Sequence, residues 1–287
     1  LTGFTGNGAG QFQESPWSPG IQTRLNRLFA AEEIPPFVVA FPDCFTKLGG
    51  SQFVNSTATG RYRDYLIDEV IPEIEKRYPV SKDRDHRFVF GKSSGGFGAL
   101  SLLMDRPDVF GGAGCQSGDM GFEYGYLPDF PHTQKELENA KGVERFLARF
   151  ERAPKKTGSL IRALNIIAMA ACYSPNPHSE WGFDLPFDLQ TGRIQPAVWE
   201  KWLAFDPVRR IETKPEAYKN AKAIFIDCGF RDEFNLLLGA RMMHETLDKF
   251  GIPHTYEEFN DTHMGISYRY EPCLTALGKG LPHISRI

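Results

Sequence analysis

A surplus of either charge is missing from this 287-residue chain: 33 Lys and Arg stand against 36 Asp and Glu, a net charge of −3. That balance leaves no electrostatic footprint for DNA or RNA. A long hydrophobic run is missing too. The longest apolar-leaning stretch, Leu160 to Tyr173, is interrupted by Arg162 and Asn165 and falls short of the ~20 residues that span a bilayer. Cysteine is sparse. Cys44, Cys115, Cys172, Cys228 and Cys273 are odd in number, scattered, and without a CxxC pair, which argues against a disulfide framework or a zinc site. Most are expected to be small buried hydrophobes, with a single pairing through Cys44 left open. There is no internal repeat, no HExxH and no G-x-x-x-x-G-K-[ST]. No signal peptide is visible at the start, but the chain begins with Leu and reads as starting inside a strand. Sequence upstream of Leu1 is therefore expected, and the compartment reads by default as cytoplasmic.

What is present is an ordinary globular balance: 41 % hydrophobic, 13 % aromatic and 24 % charged residues, with 23 Phe. It excludes wholesale disorder, collagen and coiled coil. The length suits one large domain or one domain with an insertion. Strand-like and helix-like segments alternate. Pro36 to Phe41 reads as a buried strand, Arg61 to Tyr78 as an amphipathic helix, and Arg87 to Phe90 as a second strand. Ser94 to Met104 is helical, closed by Arg106-Pro107; Phe110 to Cys115 is a Gly-rich strand. Ala221 to Cys228, Phe234 to Phe250, His254 to Phe259 and Tyr268 to Leu277 continue as strand, helix, strand, helix. This alternation predicts an α/β fold, a mostly parallel sheet covered by helices on both faces.

Residues 127–205 break the rhythm. They are rich in helix formers, then in Pro, Trp and Phe. They read as a helical cap inserted over the carboxyl edge of the sheet, where open α/β sheets bind ligands. The chain then divides into a first core part (1–126), the insertion (127–205) and a second core part (206–287). The other reading of the insertion is a separate helical subdomain with no part in a site.

Gly91-Lys92-Ser93-Ser94-Gly95 fits G-x-S-x-G. The pattern is short, but an apolar strand precedes it and a helix follows, the strand–turn–helix setting of a nucleophile elbow. Such a turn exposes the Ser93 hydroxyl at the sheet edge, flanking glycines remove clashing side chains, and the helix N-terminus adds positive potential where an oxyanion would form. The structural alternative is a Gly-rich turn with a capping Ser.

A serine hydroxyl needs a general base held by a third group, and this fold supplies them in the order Ser, acid, His. Of the seven histidines, His263 follows the final strand and can reach the carboxyl edge. The acid belongs after the penultimate strand, where Asp232 is the first choice and Glu233 the second. Charge compensation at the following helix would also account for Glu233. Two N–H donors are needed for the oxyanion. Ser94 offers one, and Phe4, in the Gly-rich loop Leu1 to Gly8, is the candidate for the other.

Several segments run in an order that resembles the putative-esterase family: Phe41-Pro42-Asp43, Phe53-Val54-Asn55-Ser56, Gly60 to Val80, Gly91 to Leu100, Arg106 to Phe110, and Gln116-Ser117-Gly118. That family includes S-formylglutathione hydrolases, enterochelin esterases, feruloyl esterases and mycolyltransferases. The resemblance covers about two-thirds of the chain. It implies an α/β-hydrolase fold, a Ser93–His263–Asp232 triad, Phe4 as oxyanion donor, and no metal or other cofactor. The chain departs from the family at Lys92, where His, Leu or Phe is more usual, throughout 127–205, and in the early strands expected before Leu1. A sheet lacking those strands would leave an exposed edge.

The expected activity is hydrolysis of a small-molecule carboxylic ester through an acyl-enzyme, with no membrane span and no nucleic acid. An assembly of identical copies is compatible with the chain. Aromatics of the insertion, Trp181 foremost, and Tyr124 and Tyr126 near the mouth are candidate substrate contacts. Arg193 and Lys201 read as solvated charges rather than anion contacts. Two alternatives stand beside this reading: acyl transfer to an alcohol by the same residues, and a non-catalytic binding module on a hydrolase scaffold.

Overall fold

The computed structural model describes residues 1–281; His283 lies outside them. Four parallel strands form the main sheet in the order β1 (Phe88–Lys92), β2 (Gly112–Gln116), β3 (Ala223–Gly229), β4 (Thr255–Phe259). Lys92 pairs with Gln116, Gln116 with Asp227, and Gly229 with Phe259, so the carboxyl ends of the strands are aligned.

Alternation along the strands loads both faces, as the sequence predicts. Val89, Ala113, Cys115, Ile224 and Ile226 belong to one cluster with Leu100, Leu103, Ala240 and Met243. Those partners lie on helices Ser94–Asp105 and Leu236–Lys249. Phe225 faces the other way, with Phe88 and Phe90, against Cys273 and Leu277 of helix Tyr270–Gly280. The small residues of β2 let that helix approach: a Cβ on Gly114 would lie 2.4 Å from the Cys273 sulfur. All five cysteines are free and buried.

Two local expectations are corrected. Residues 36–41 form no strand. Pro35 and Pro36 offer no ladder donors, and the segment runs with alternating half-buried and exposed side chains, Val38 fully 45 % exposed. The helix expected over 61–78 is present but not uniform. Its central turn, Tyr65–Val70, is π-helical between α-helical pieces Tyr62–Asp64 and Ile71–Arg77. Pro72 cannot donate to the preceding turn, so the ladder shifts there.

Residues 127–205 contain helices Phe130–Ala140, Val143–Arg152, Gly158–Tyr173 and Pro196–Leu203. Their apolar faces form a second cluster around Phe146, Ile167, Tyr173, Phe187 and Trp202, and Phe97 of helix Ser94–Asp105 is part of it. The chain leaves residues 127–205 just before Asp206. Its carboxylate accepts the backbone N–H groups of Gly121 (3.0 Å), Phe122 (2.7 Å) and Val208 (3.1 Å), fastening this point to the loop that follows β2.

Candidate active site

Ser93 sits between β1 and its helix with φ +57° and ψ −125°, a conformation that disfavours any residue with a Cβ. It is held on both sides: its N–H donates to Gln116 O at 2.9 Å, and its carbonyl accepts from Phe97 N at 3.0 Å. The glycines around it are required by space. A Cβ on Gly91 would meet the Gly95 carbonyl carbon at 2.5 Å, and one on Gly96 would meet Gly118 Cα at 2.9 Å.

His263 is buried in the loop after β4. Its Nδ1 is 2.8 Å from Asp232 Oδ2, and its backbone N–H donates to Glu233 Oε2 at 2.8 Å. The Phe234 ring meets the imidazole edge to face at 4.8 Å. With Nδ1 directed at a carboxylate, the proton belongs there and Nε2 is left as the acceptor. Asp232 is oriented by the turn itself, since its other oxygen accepts from Phe234 N (3.0 Å) and Leu236 N (3.4 Å). The two acidic candidates thus divide the work. Asp232 meets the ring, while Glu233, the second choice for the acid, holds the backbone of the histidine loop.

The Ser93 hydroxyl is not hydrogen-bonded to His263 in this conformation. Among the described residues its side-chain partner is Asp119 Oδ1 at 3.4 Å. Asp119 follows β2 and is almost wholly buried. Its other oxygen accepts from Ser94 Oγ (3.1 Å), Tyr126 OH (2.9 Å) and Gln52 Nε2 (3.1 Å). Burial pushes the Asp119 carboxyl up from its ordinary range, opposed by the hydrogen bonds from Gln52 and Tyr126 and by the nearby His263. Lys92, the last residue of β1, is half-buried. Burial lowers its ammonium pKa, and the charges of Asp232 and Glu233 act against that. Among the described residues it forms no ion pair.

The loop carrying Phe4 lies against Ser93: a Cβ on Gly3 would be 3.2 Å from Ser93 Cβ. The loop is tied by Thr5 N–H to Gly49 O (2.8 Å) and Gly6 N–H to Gly3 O (2.9 Å), leaving the Phe4 N–H without a partner among the described residues. The Ser94 N–H, in the first turn of its helix, is equally free. Trp181 packs beside Phe183, ring centroids 6.3 Å apart, and joins the second aromatic cluster as a partly buried residue. Tyr124 is 44 % exposed and is held through its carbonyl by Asn235. The other aromatics considered for a pocket, Phe183, Phe187, Trp199 and Trp202, are core residues.

Sequence reasoning missed Asp119 and Gln52. The available signal was position: Asp119 directly follows Gln116-Ser117-Gly118 at the carboxyl end of the strand beside β1, which leads into Ser93. It also missed a cluster at the amino end of β4, where His244 Nδ1 lies 2.7 Å from His254 Nε2, with Asp248 beside them. No helix among the described residues is long and apolar enough to cross a membrane.

Residues 47–270 match the model of a family described as Putative esterase. An endo-1,4-beta-xylanase/feruloyl esterase of Xylanibacter ruminicola is 25 % identical over 147 residues, 48 % of this chain and 20 % of that protein. This chain thus spans about a fifth of that relative's length. Among solved structures, a ferulic acid esterase matches with a TM-score of 0.59 at 18 % identity, over 98 % of this chain and 84 % of the other. Staphylococcus aureus fluorophosphonate-binding serine hydrolase F, in a substrate-bound structure, matches with a TM-score of 0.56 at 16 % identity, over 97 % and 81 %. These likenesses show the α/β-hydrolase fold.

Proposed function

Because the chain belongs to the Putative esterase family, we propose that it hydrolyses small carboxylic esters through an acyl-enzyme formed on Ser93, with His263 as base and Asp232 as its orienting acid. The observation that carries this reading is the buried 2.8 Å contact between His263 Nδ1 and Asp232, on loops that share the carboxyl edge with the strained Ser93 turn.

Rotation of the Ser93 hydroxyl toward His263 starts the reaction. Oγ attacks the ester carbonyl carbon as its proton passes to Nε2, and the carbonyl electron pair becomes the oxyanion. The free N–H groups of Phe4 and Ser94 are the proposed donors to it, aided by the positive end of helix Ser94–Asp105. Collapse breaks the bond to the alkoxy oxygen, which leaves as the alcohol with the proton from Nε2. Water then attacks the acyl carbon, gives its proton to Nε2, and a second collapse returns that proton to Ser93 and releases the acid. Asp232 stabilises the imidazolium at each protonated stage. The insertion, joined to the nucleophile helix through Phe97, is proposed as the cap over this edge.

The test is Ser93→Ala. Turnover of p-nitrophenyl and feruloyl esters should fall by at least about 10³-fold with circular dichroism unchanged. A fluorophosphonate probe should label the natural chain and not the variant. A Ser93→Ala protein that keeps most of its turnover would end this assignment.

A further inference from the structure

The mechanism above leaves one buried acid beside the nucleophile without a task. Residue 119 touches the elbow three times: its N–H reaches Ser93 O (3.4 Å), Oδ1 accepts from Ser93 Oγ (3.4 Å), and Oδ2 accepts from Ser94 Oγ (3.1 Å). The contacts fall on the nucleophile and on the residue whose N–H is the proposed oxyanion donor. On its far side Oδ2 takes Tyr126 OH and Gln52 Nε2, and Gln52 Nε2 also donates to Tyr173 OH at 2.9 Å. The backbone cannot drift away either. A Cβ on Gly118 would lie 2.3 Å from the Cys115 sulfur and 3.0 Å from the Gly96 carbonyl carbon, so the 118–119 turn is pressed against the start of the nucleophile helix.

Resting on the serine-esterase reading, we propose that Asp119 is a positioning residue for the nucleophile: it ties the side chains of Ser93 and Ser94 to Gln52 and Tyr126 and holds the resting hydroxyl ready to swing to His263. Three physical points support this. First, four donors converge on one carboxylate, the arrangement an acceptor-only ionised group satisfies and an amide does not. Second, the Ser93 bond to it is long. It orients the hydroxyl weakly, so release costs little when a substrate carbonyl arrives. Third, the turn it braces has an unfavourable φ/ψ that the surroundings must over-determine to keep. Tyr126 and Tyr173 belong to the aromatic cluster of the insertion. Asp119 therefore also links that helical layer to the reacting hydroxyl.

The test uses Asp119→Asn, which keeps size but presents amide hydrogens to groups that are themselves donors. The pseudo-first-order rate of fluorophosphonate labelling, which does not depend on the fraction of active protein, should fall about ten- to hundredfold, the scale of misplacing a reacting group. kcat per titrated site should fall with it, while KM for a p-nitrophenyl ester stays within about twofold. Tyr126→Phe and Ser94→Ala each remove one donor to Oδ2 and should slow labelling severalfold in the same pattern. A residue that only stabilises the fold would lower the melting temperature and leave labelling per site unchanged. Labelling of Asp119→Asn within twofold of the natural chain overturns the proposal. If that variant does not fold, natural-rate labelling of both Tyr126→Phe and Ser94→Ala overturns it instead. Labelling that persists in Ser93→Ala sinks the serine-esterase reading, whereas an inert Ser93→Ala beside a normal Asp119→Asn sinks only the role of Asp119.

Discussion

Ser93 adopts φ +57° because its neighbours leave it no alternative, and Gly118 shows how tight that confinement is. A methyl group there would collide with Cys115 Sγ and with the backbone of Gly96. Neither can yield without moving β2 or helix Ser94–Asp105. Gly118→Ala should therefore cost about 1–3 kcal/mol through overpacking. For a domain of this size that is a fall of roughly 2–10 °C in melting temperature, read by thermal unfolding. Ester turnover should fall as well, since the strain falls on the Ser93 turn. An unchanged melting temperature would show that the turn has slack. At this scale the sequence was partly legible. Gly91, Ser93 and Gly95 identify an elbow because the need for small residues is local. Asp119 was not legible, because its partners Gln52, Ser94, Tyr126 and Ser93 are up to 67 residues away along the chain. No spacing rule connects them.

The loops at the carboxyl ends of β3 and β4 are separate in sequence and act as one unit in space. Asp232 fixes the imidazole of His263, and Glu233 accepts its backbone N–H. Removing the second contact leaves the first intact but frees the loop. Glu233→Ala should reduce kcat about tenfold with little change in KM, a loss in line with one hydrogen bond to a charged group. Steady-state kinetics on a p-nitrophenyl ester measures it, and an unaffected kcat would assign the positioning of His263 to Asp232 alone. Sequence order placed both acids in the loop after β3, where the structure sets them against His263, because strands alternate with helices throughout this half of the chain. It could not divide their roles, which depend on which way each side chain leaves a tight turn. Elements were least legible where backbone pairing decided the outcome. Residues 36–41 have strand composition but lack the donors for a ladder, and Pro72 unsettles a helix whose periodicity looks regular.

Across the whole molecule, one buried ion pair joins the middle of the sheet to the segment after the histidine loop. Arg269 Nε lies 2.8 Å from Asp227 Oδ2 on β3, and the same guanidinium also meets Glu257 on β4. Among the described residues the other Asp227 oxygen is buried without a partner. Burial outweighs the attraction of Arg269, with Glu257 adding to the upward push, and the Asp227 carboxyl is raised to about 7. A carboxyl raised in the folded state binds its proton more tightly there than in the unfolded chain. Its contribution to stability is therefore full below the ordinary carboxylate range, near pH 4, and is lost as pH climbs toward 7. Asp227→Asn removes that titration while keeping the shape. Urea unfolding of both proteins between pH 4.5 and 8 should show the natural chain losing stability relative to the variant as pH rises. The relative loss should reach a few kcal/mol, because each tenfold difference in proton affinity between the folded and unfolded chain is worth about 1.4 kcal/mol. The difference should level off above pH 7, because Asp227 is then ionised in both states. Parallel curves across the range would mean that Arg269 holds Asp227 ionised throughout, and that the cross-link between sheet and histidine loop is a permanent ion pair.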